Sequence, residues 1–241
     1  MFKKQQKVIG VSQKHLIWDL PLRIFHWSFA TTILAAWYTA EQEGELIDLH
    51  MQLGYIALAL LTFRVLWGVI GPKHARFSQF FPSPKKLVSY LTGGKNANES
   101  KMSAGHNPLG ALMVILMIVL VTMQAVSGLF INDDIFSAGP YYGALGNDVG
   151  KVMSFLHHNT FNLMIAAIAL HIAAISYYWW VKKQNLVLPM ITGKKSADLI
   201  DEADVIPHSK IILAIIIAIA CSAFVYWLVV INAPIVEEFY Y

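Results

Sequence analysis

The chain has 241 residues, 56% of them hydrophobic and only 14% charged, with a mean hydropathy of +0.53. That balance excludes an ordinary soluble domain and a disordered tail, and a net charge of +3 is too small to mark a nucleic-acid partner. A single cysteine, Cys221, excludes both a disulfide framework and a thiolate metal site; it lies in an apolar run and reads as a packing residue.

Five apolar runs come close to or exceed the roughly 20 residues a helix needs to cross a bilayer: 24–40, 49–71, 108–131, 152–181 and 211–230. Lipid offers no water to unpaired backbone groups, so runs of this kind must be helical. Before the first run stands WDLPLR, where Asp19 is suited to cap a helix and Pro21 to an early helical position. A cleaved leader is the competing reading of this segment, but it would discard His26. The loop 72–107, rich in Pro, Gly, Ser and Lys, is expected to hold a short amphipathic piece at 84–91 and to end on Asn107 as a cap for the third run. The loop NDDIFSAGPYYGALGND carries turn residues and two tyrosines, read as interfacial anchors. The segment 182–210 is mixed in charge and is expected at the membrane surface, ahead of the fifth run.

Every one of the 18 lysines and arginines except Arg64 and Lys151 falls in 1–25, 72–107 or 182–210. The opposite loops carry Glu41, Glu43, Glu45, Asp48, Asp133, Asp134 and Asp148, and the C-terminus Glu237 and Glu238. Basic loops stay cytoplasmic, so the N-terminus is expected inside and the C-terminus outside, in the periplasm of a bacterial inner membrane.

Ionisable residues within spans are costly enough to signal function. His26 falls at the inner end of the first span, His50 at the outer end of the second, and His157 and His171 both on the fourth. The last two are 14 residues apart, roughly 21 Å along a helix and within about 40° of the same face. His158 points elsewhere by the same arithmetic. The fourth span runs from outside to inside, which sets His157 at the depth of His50 and His171 at the depth of His26. Singly, each histidine could hydrogen-bond a neighbouring helix. Four at two matching depths favour paired axial ligation of two haems, while zinc is disfavoured because neither thiolate nor carboxylate accompanies them. Arg64, at the inner depth of the second span, suits a haem propionate, with snorkelling to the headgroups as the alternative. His106 is a weaker candidate near the inner haem or a quinone carbonyl, and His15, His74 and His208 are assigned no site.

The stretches WDLPLRIFHW, DLHMQLGY, FRVLWGVIGPKHARF, GHNPLG and SFLHHNTFNLMIAAIALH resemble the prokaryotic cytochrome b561 family, which includes the b-type subunits of nickel-iron hydrogenases; the resemblance spans about 16–195. It implies an all-α integral membrane protein: a transmembrane helical bundle with a four-helix di-haem core at 1–195, followed at 196–241 by a surface segment and a fifth span. It implies two haem b groups, the outer held by His50 and His157 and the inner by His26 and His171, and electron transfer between quinone and a periplasmic redox protein such as a hydrogenase, another dehydrogenase or cytochrome c. The residue after His157, often acidic in that family, is His158 here. Two alternatives stand beside this reading: a self-contained quinone reductase oxidising a small donor such as superoxide, and a haem-free transporter or anchor. A homodimer is left open.

Overall fold

The computed structural model describes residues 13–42, 44, 46–92, 104–132 and 137–234. Five long helices dominate: α1 (Leu20–Ala40), α2 (Ile47–Ile70), α5 (Pro108–Gly128), α6 (Asn147–Trp180) and α8 (Ile211–Tyr226), the last prolonged by a π turn over Trp227–Ile231. Among the described residues, three short helices, α3 (Phe77–Phe80), α4 (Pro84–Leu91) and α7 (Val187–Thr192), lie in the connections. Four helical segments, Ile47–Ile70, Pro108–Gly128, Asn147–Trp180 and Ile211–Ile231, are long and apolar enough to cross a membrane. The fifth, α1, has the length, about 32 Å at the α-helical rise. Arg23, His26, Ser28, Thr31 and Thr32 make it more polar than the others.

The helix starts follow from local chemistry. Asp19 accepts a hydrogen bond from the Leu22 N–H at 2.9 Å, with Pro21 in the first turn. Asn107 accepts from Gly110 at 2.7 Å, and Ser83 from Lys86 at 3.3 Å, each followed by a proline. Three boundaries move from the apolar runs: α1 begins at Leu20, α5 stops at Gly128, and α6 begins at Asn147. A cap or a glycine decides each end, and hydropathy does not register either.

Hydropathy also gives no sign of the short antiparallel sheet that closes one end of the bundle. Strand β1 (Lys14–Leu16) pairs with β2 (Lys194–Ser196), with His15 opposite Lys195. Gly193, at φ +80°, ends α7, and its carbonyl accepts from the backbone N–H of Ile17 and of Trp18. A β-carbon there would sit 2.7 Å from the Trp18 carbonyl oxygen, so the turn needs glycine. This is the basic end of the bundle, where α1, α5 and α8 begin and α2 and α6 finish; the other is the acidic end.

The core joins Ile17, Leu22, Phe25, Phe29 and Ile33 to Leu61, Phe63 and Trp67 of α2 and to Ala214, Ile217 and Cys221 of α8. Cys221 is buried and free, as a packing residue. At the acidic end Leu129 meets Val225 and Val229. Tyr141 packs inward: its ring lies 5.7 Å from Phe130 and its hydroxyl donates to the Leu228 carbonyl at 2.9 Å, tying the α5–α6 loop to the last helix.

Candidate functional site

His50 and His157 meet near the acidic end, their ring centres 6.2 Å apart. Each ring is oriented through one nitrogen. Nδ1 of His50 lies 2.8 Å from the Ala36 carbonyl oxygen of α1, and Nδ1 of His157 lies 2.9 Å from the Gln124 carbonyl oxygen of α5. A ring that donates Nδ1–H to a carbonyl keeps its Nε2 lone pair for a metal, the usual arrangement of a metal-binding histidine. Two imidazoles bound at about 2 Å to one metal ion have ring centres about 6 Å apart. The neighbouring His158 is exposed and turns its Nδ1 back to the Ser154 carbonyl at 2.8 Å.

Near the basic end, His26 of α1 and His171 of α6 lie close enough to interact electrostatically. Nδ1 of His26 is buried and has no hydrogen-bond partner among the described residues. An orphaned polar atom of this kind is costly, and it marks a ring placed for something other than helix packing.

All four histidines lie along one slot, the seam where α6 faces α1 and α2. α6 packs chiefly on α5, and α1 chiefly on α2, whereas α6 makes little backbone approach to α1 or α2. Side chains reach across instead: His50 to His157, and Trp37 to Phe161 at 6.2 Å between ring centres. Thr160, Met164 and Ala167, the buried residues of α6, lie between its two histidines on the same side of the helix. The slot thus has paired imidazoles at two levels and an apolar wall between them, which is chemistry suited to a flat, hydrophobic, metal-centred cofactor.

A polar layer closes the slot at the basic end. Arg64 is 2% exposed, so it does not snorkel; its Nη1 donates to the Ala75 carbonyl at 3.2 Å and its guanidinium lies 4.6 Å from the centre of the Phe77 ring. Asp19, fully buried, accepts from the Trp67 indole at 2.9 Å as well as from Leu22. Burial pushes the Asp19 carboxyl above its usual range, against the pull of those two donors and of the Arg64 charge. His106 packs between Trp18 and Phe80, with ring centres at 4.8 and 4.7 Å. Burial lowers it to about 3, reinforced by the charge of Arg64. Lys195 donates to the Ala104 carbonyl at 2.8 Å and is lowered by burial to about 8.

His74, given no site from the sequence, is buried, and its Nε2 lies 2.7 Å from the Asp204 carbonyl oxygen; Lys73 pairs with the Asp204 carboxylate at 2.8 Å. These two bonds fasten the segment before α8 to the end of α2. Trp18, Asp19 and Lys195 also went unassigned to this layer, because their partners lie far away in sequence and leave no local pattern.

A model of the prokaryotic cytochrome b561 family matches residues 17–193. The chain belongs to the prokaryotic cytochrome b561 family. A probable Ni/Fe-hydrogenase B-type cytochrome subunit of Azotobacter chroococcum mcd 1 is 23% identical over 210 residues, covering 73% of this chain and 86% of that one. This cytochrome b561 is therefore a multi-pass membrane protein of electron transport, and its family carries haem b. The residues of the acidic-end pair fit that group: the spacing of the two rings and their occupied Nδ1 atoms leave both Nε2 lone pairs available to a metal.

Proposed function

We propose that this cytochrome b561 holds two haem b groups, one between His50 and His157 and one between His26 and His171, and passes electrons between membrane quinone and a redox protein at the acidic end. The observation that carries the reading is the acidic-end pair: two rings 6.2 Å apart, each with Nδ1 on a backbone carbonyl of a different helix. Haem b, when bound, supplies a one-electron iron couple. The protein's part is to fix the imidazoles, exclude water and set the surrounding charge. Arg64 is a buried cation of the basic-end layer, and with one guanidinium nitrogen on Ala75 the fork keeps further N–H groups for a propionate.

The distribution of lysine and arginine supports a cytoplasmic N-terminus and basic end, and a periplasmic acidic end. The partner at the acidic end is then a periplasmic hydrogenase, another dehydrogenase or a cytochrome c; the hydrogenase-associated relative favours the first. We take 1–195 as the di-haem core and 196–241 as an added surface segment and fifth span.

The test is the pigment of the purified chain. Wild type should bind two haem b per polypeptide. His50→Ala and His157→Ala should each abolish one, and His26→Ala and His171→Ala the other. Loss of the acidic-end haem in His158→Ala with retention in His157→Ala would refute the pairing, and a colourless protein from haem-replete cells would refute the cofactor.

A further inference from the structure

The two histidine pairs differ in what surrounds them. At the acidic end both rings are anchored through Nδ1, His50 on Ala36 and His157 on Gln124. The last turn of α5 forms a fitted seat for His157. Ser127, 1% exposed, has its hydroxyl oxygen 3.3 Å from the same Nδ1 and donates to the Met123 carbonyl at 2.6 Å. At Gly128 a β-carbon would come within 3.0 Å of the His157 Cε1 and 3.3 Å of its Nδ1, so the ring occupies the space a side chain would take. At the basic end Nδ1 of His26 has no acceptor among the described residues.

A histidine that donates Nδ1–H to a strong acceptor is the more basic ligand, and a more basic axial field favours the ferric over the ferrous state. Fixed charge acts in the same direction. Asp48 stands one turn before Met51 at the acidic mouth, beside His50 in sequence, and is exposed with Ser137 donating to it at 3.1 Å. Arg64 lies buried at the other level, in a layer that also holds Lys195 and Asp19. Negative charge stabilises the oxidised state and positive charge the reduced one.

We infer that the seat formed by Gln124, Ser127 and Gly128 makes the His50–His157 haem the lower-potential member of the pair. The inference rests on the di-haem reading above. It gives Ser127 and Gly128 a role as positioning residues, acting through His157 and not on the iron.

A redox titration of the purified full-length chain, followed in the α band, tests it. Wild type should give two one-electron waves. His157→Ala should remove the lower wave and His171→Ala the upper. Gly128→Ala, which must shift the His157 ring by a few tenths of an ångström against its acceptor, should raise the lower wave and leave the upper unmoved. Gly150→Ala, whose β-carbon meets nothing within 4 Å, should move neither. Loss of the upper wave in His157→Ala overturns the ordering, and two unmoved waves in a Gly128→Ala protein that keeps both haems overturns the seat. If Gly128→Ala sheds the acidic-end haem, the order of waves in the two histidine variants still decides. A wild type without haem, or a His157→Ala variant with two, refutes the ligand reading itself and is recognised before any potential is measured.

Discussion

Asp19 joins α1, α2 and the basic-end layer through one oxygen, so its removal has a size that can be worked from the structure. Asp19→Ala deletes the helix cap, a loss of about 0.5 to 2 kcal/mol. It also strands the buried Trp67 indole N–H, a further loss of about 1 to 3 kcal/mol. A combined loss of about 2 to 4 kcal/mol lowers the melting temperature by about 5 to 10 °C in a chain of this length. The assay is thermal unfolding in detergent followed by tryptophan fluorescence. Asp19→Asn keeps the acceptor oxygen and should recover most of the loss at pH 7. Because burial holds the Asp19 carboxyl above its ordinary value of 3.8, the folded chain keeps this proton more firmly than the unfolded one. Its contribution therefore grows as pH falls through the folded value and levels off below 3.8, and Asp19→Asn lacks that rise. Asp19 and Trp67 share one bond, so Asp19→Ala combined with Trp67→Phe should cost less than the two single losses added together. An Asp19→Ala protein that melts with the wild type, or an Asp19→Asn protein as weak as Asp19→Ala, would refute the reasoning.

The basic-end cap should respond to pH through His74. Burial lowers this imidazole below its ordinary 6.5, so the folded chain refuses a proton that the unfolded chain accepts. Stability is then full above about pH 6.5 and declines as pH falls toward the folded value. His74→Gln should shallow that decline in melts run from pH 8 to pH 5, without abolishing it, since His106 contributes with the same sign. Gly193→Ala meets both a positive φ and the Trp18 carbonyl, so it should lose more than the roughly 1 to 2 kcal/mol of a left-handed alanine. Faster tryptic cleavage after the exposed Lys194 is the readout, and Gly44→Ala, with positive φ but open space, should show the smaller effect. Tyr141→Phe should lose about 1 kcal/mol through its bond to Leu228 and loosen the end of the last helix, read as faster amide exchange over Trp227–Ile231.

The long helices and the facing of His50 to His157 were legible because both follow from periodicity and length. An α-helix turns and rises by fixed amounts, so the 14-residue step from His157 to His171 places both on one side without knowledge of any contact. The caps at Asp19 and Asn107 were legible for a similar reason, since a cap bonds only to its own first turn. The basic-end layer was not. Asp19 meets Trp67 across 48 positions, His74 meets Asp204 across 130, and Lys195 meets Ala104 across 91. Nothing in a local window distinguishes His74, which is buried, from a loop histidine. Arg64 sits between the two cases: its depth could be counted, but its stacking on Phe77 depends on a turn that reverses the chain after Gly71.

The arrangement of the helices has a consequence for how folding and cofactor depend on each other. α1, α2 and α8 supply most of the core, which Val121 of α5 and Met164 of α6 also join, while α6 buries only Thr160, Met164 and Ala167 and packs chiefly on α5. Much of the contact of α6 with α1 and α2 is made by side chains at the level of the histidines. Here that face is given to imidazoles, whose contribution depends on what they hold, and a group bound only by the folded state stabilises it by about 4 kcal/mol at a thousand times its dissociation constant. Haem should therefore fasten α6, and with it α5, more than it fastens α1, α2 and α8. Hydrogen exchange on haem-depleted and haem-loaded protein in the same detergent should show protection lost first across Asn147–Trp180 and retained longer in Ile47–Ile70. Uniform loss across all five long helices would mean that the slot is no seam, and that the histidines stand within one cooperative core.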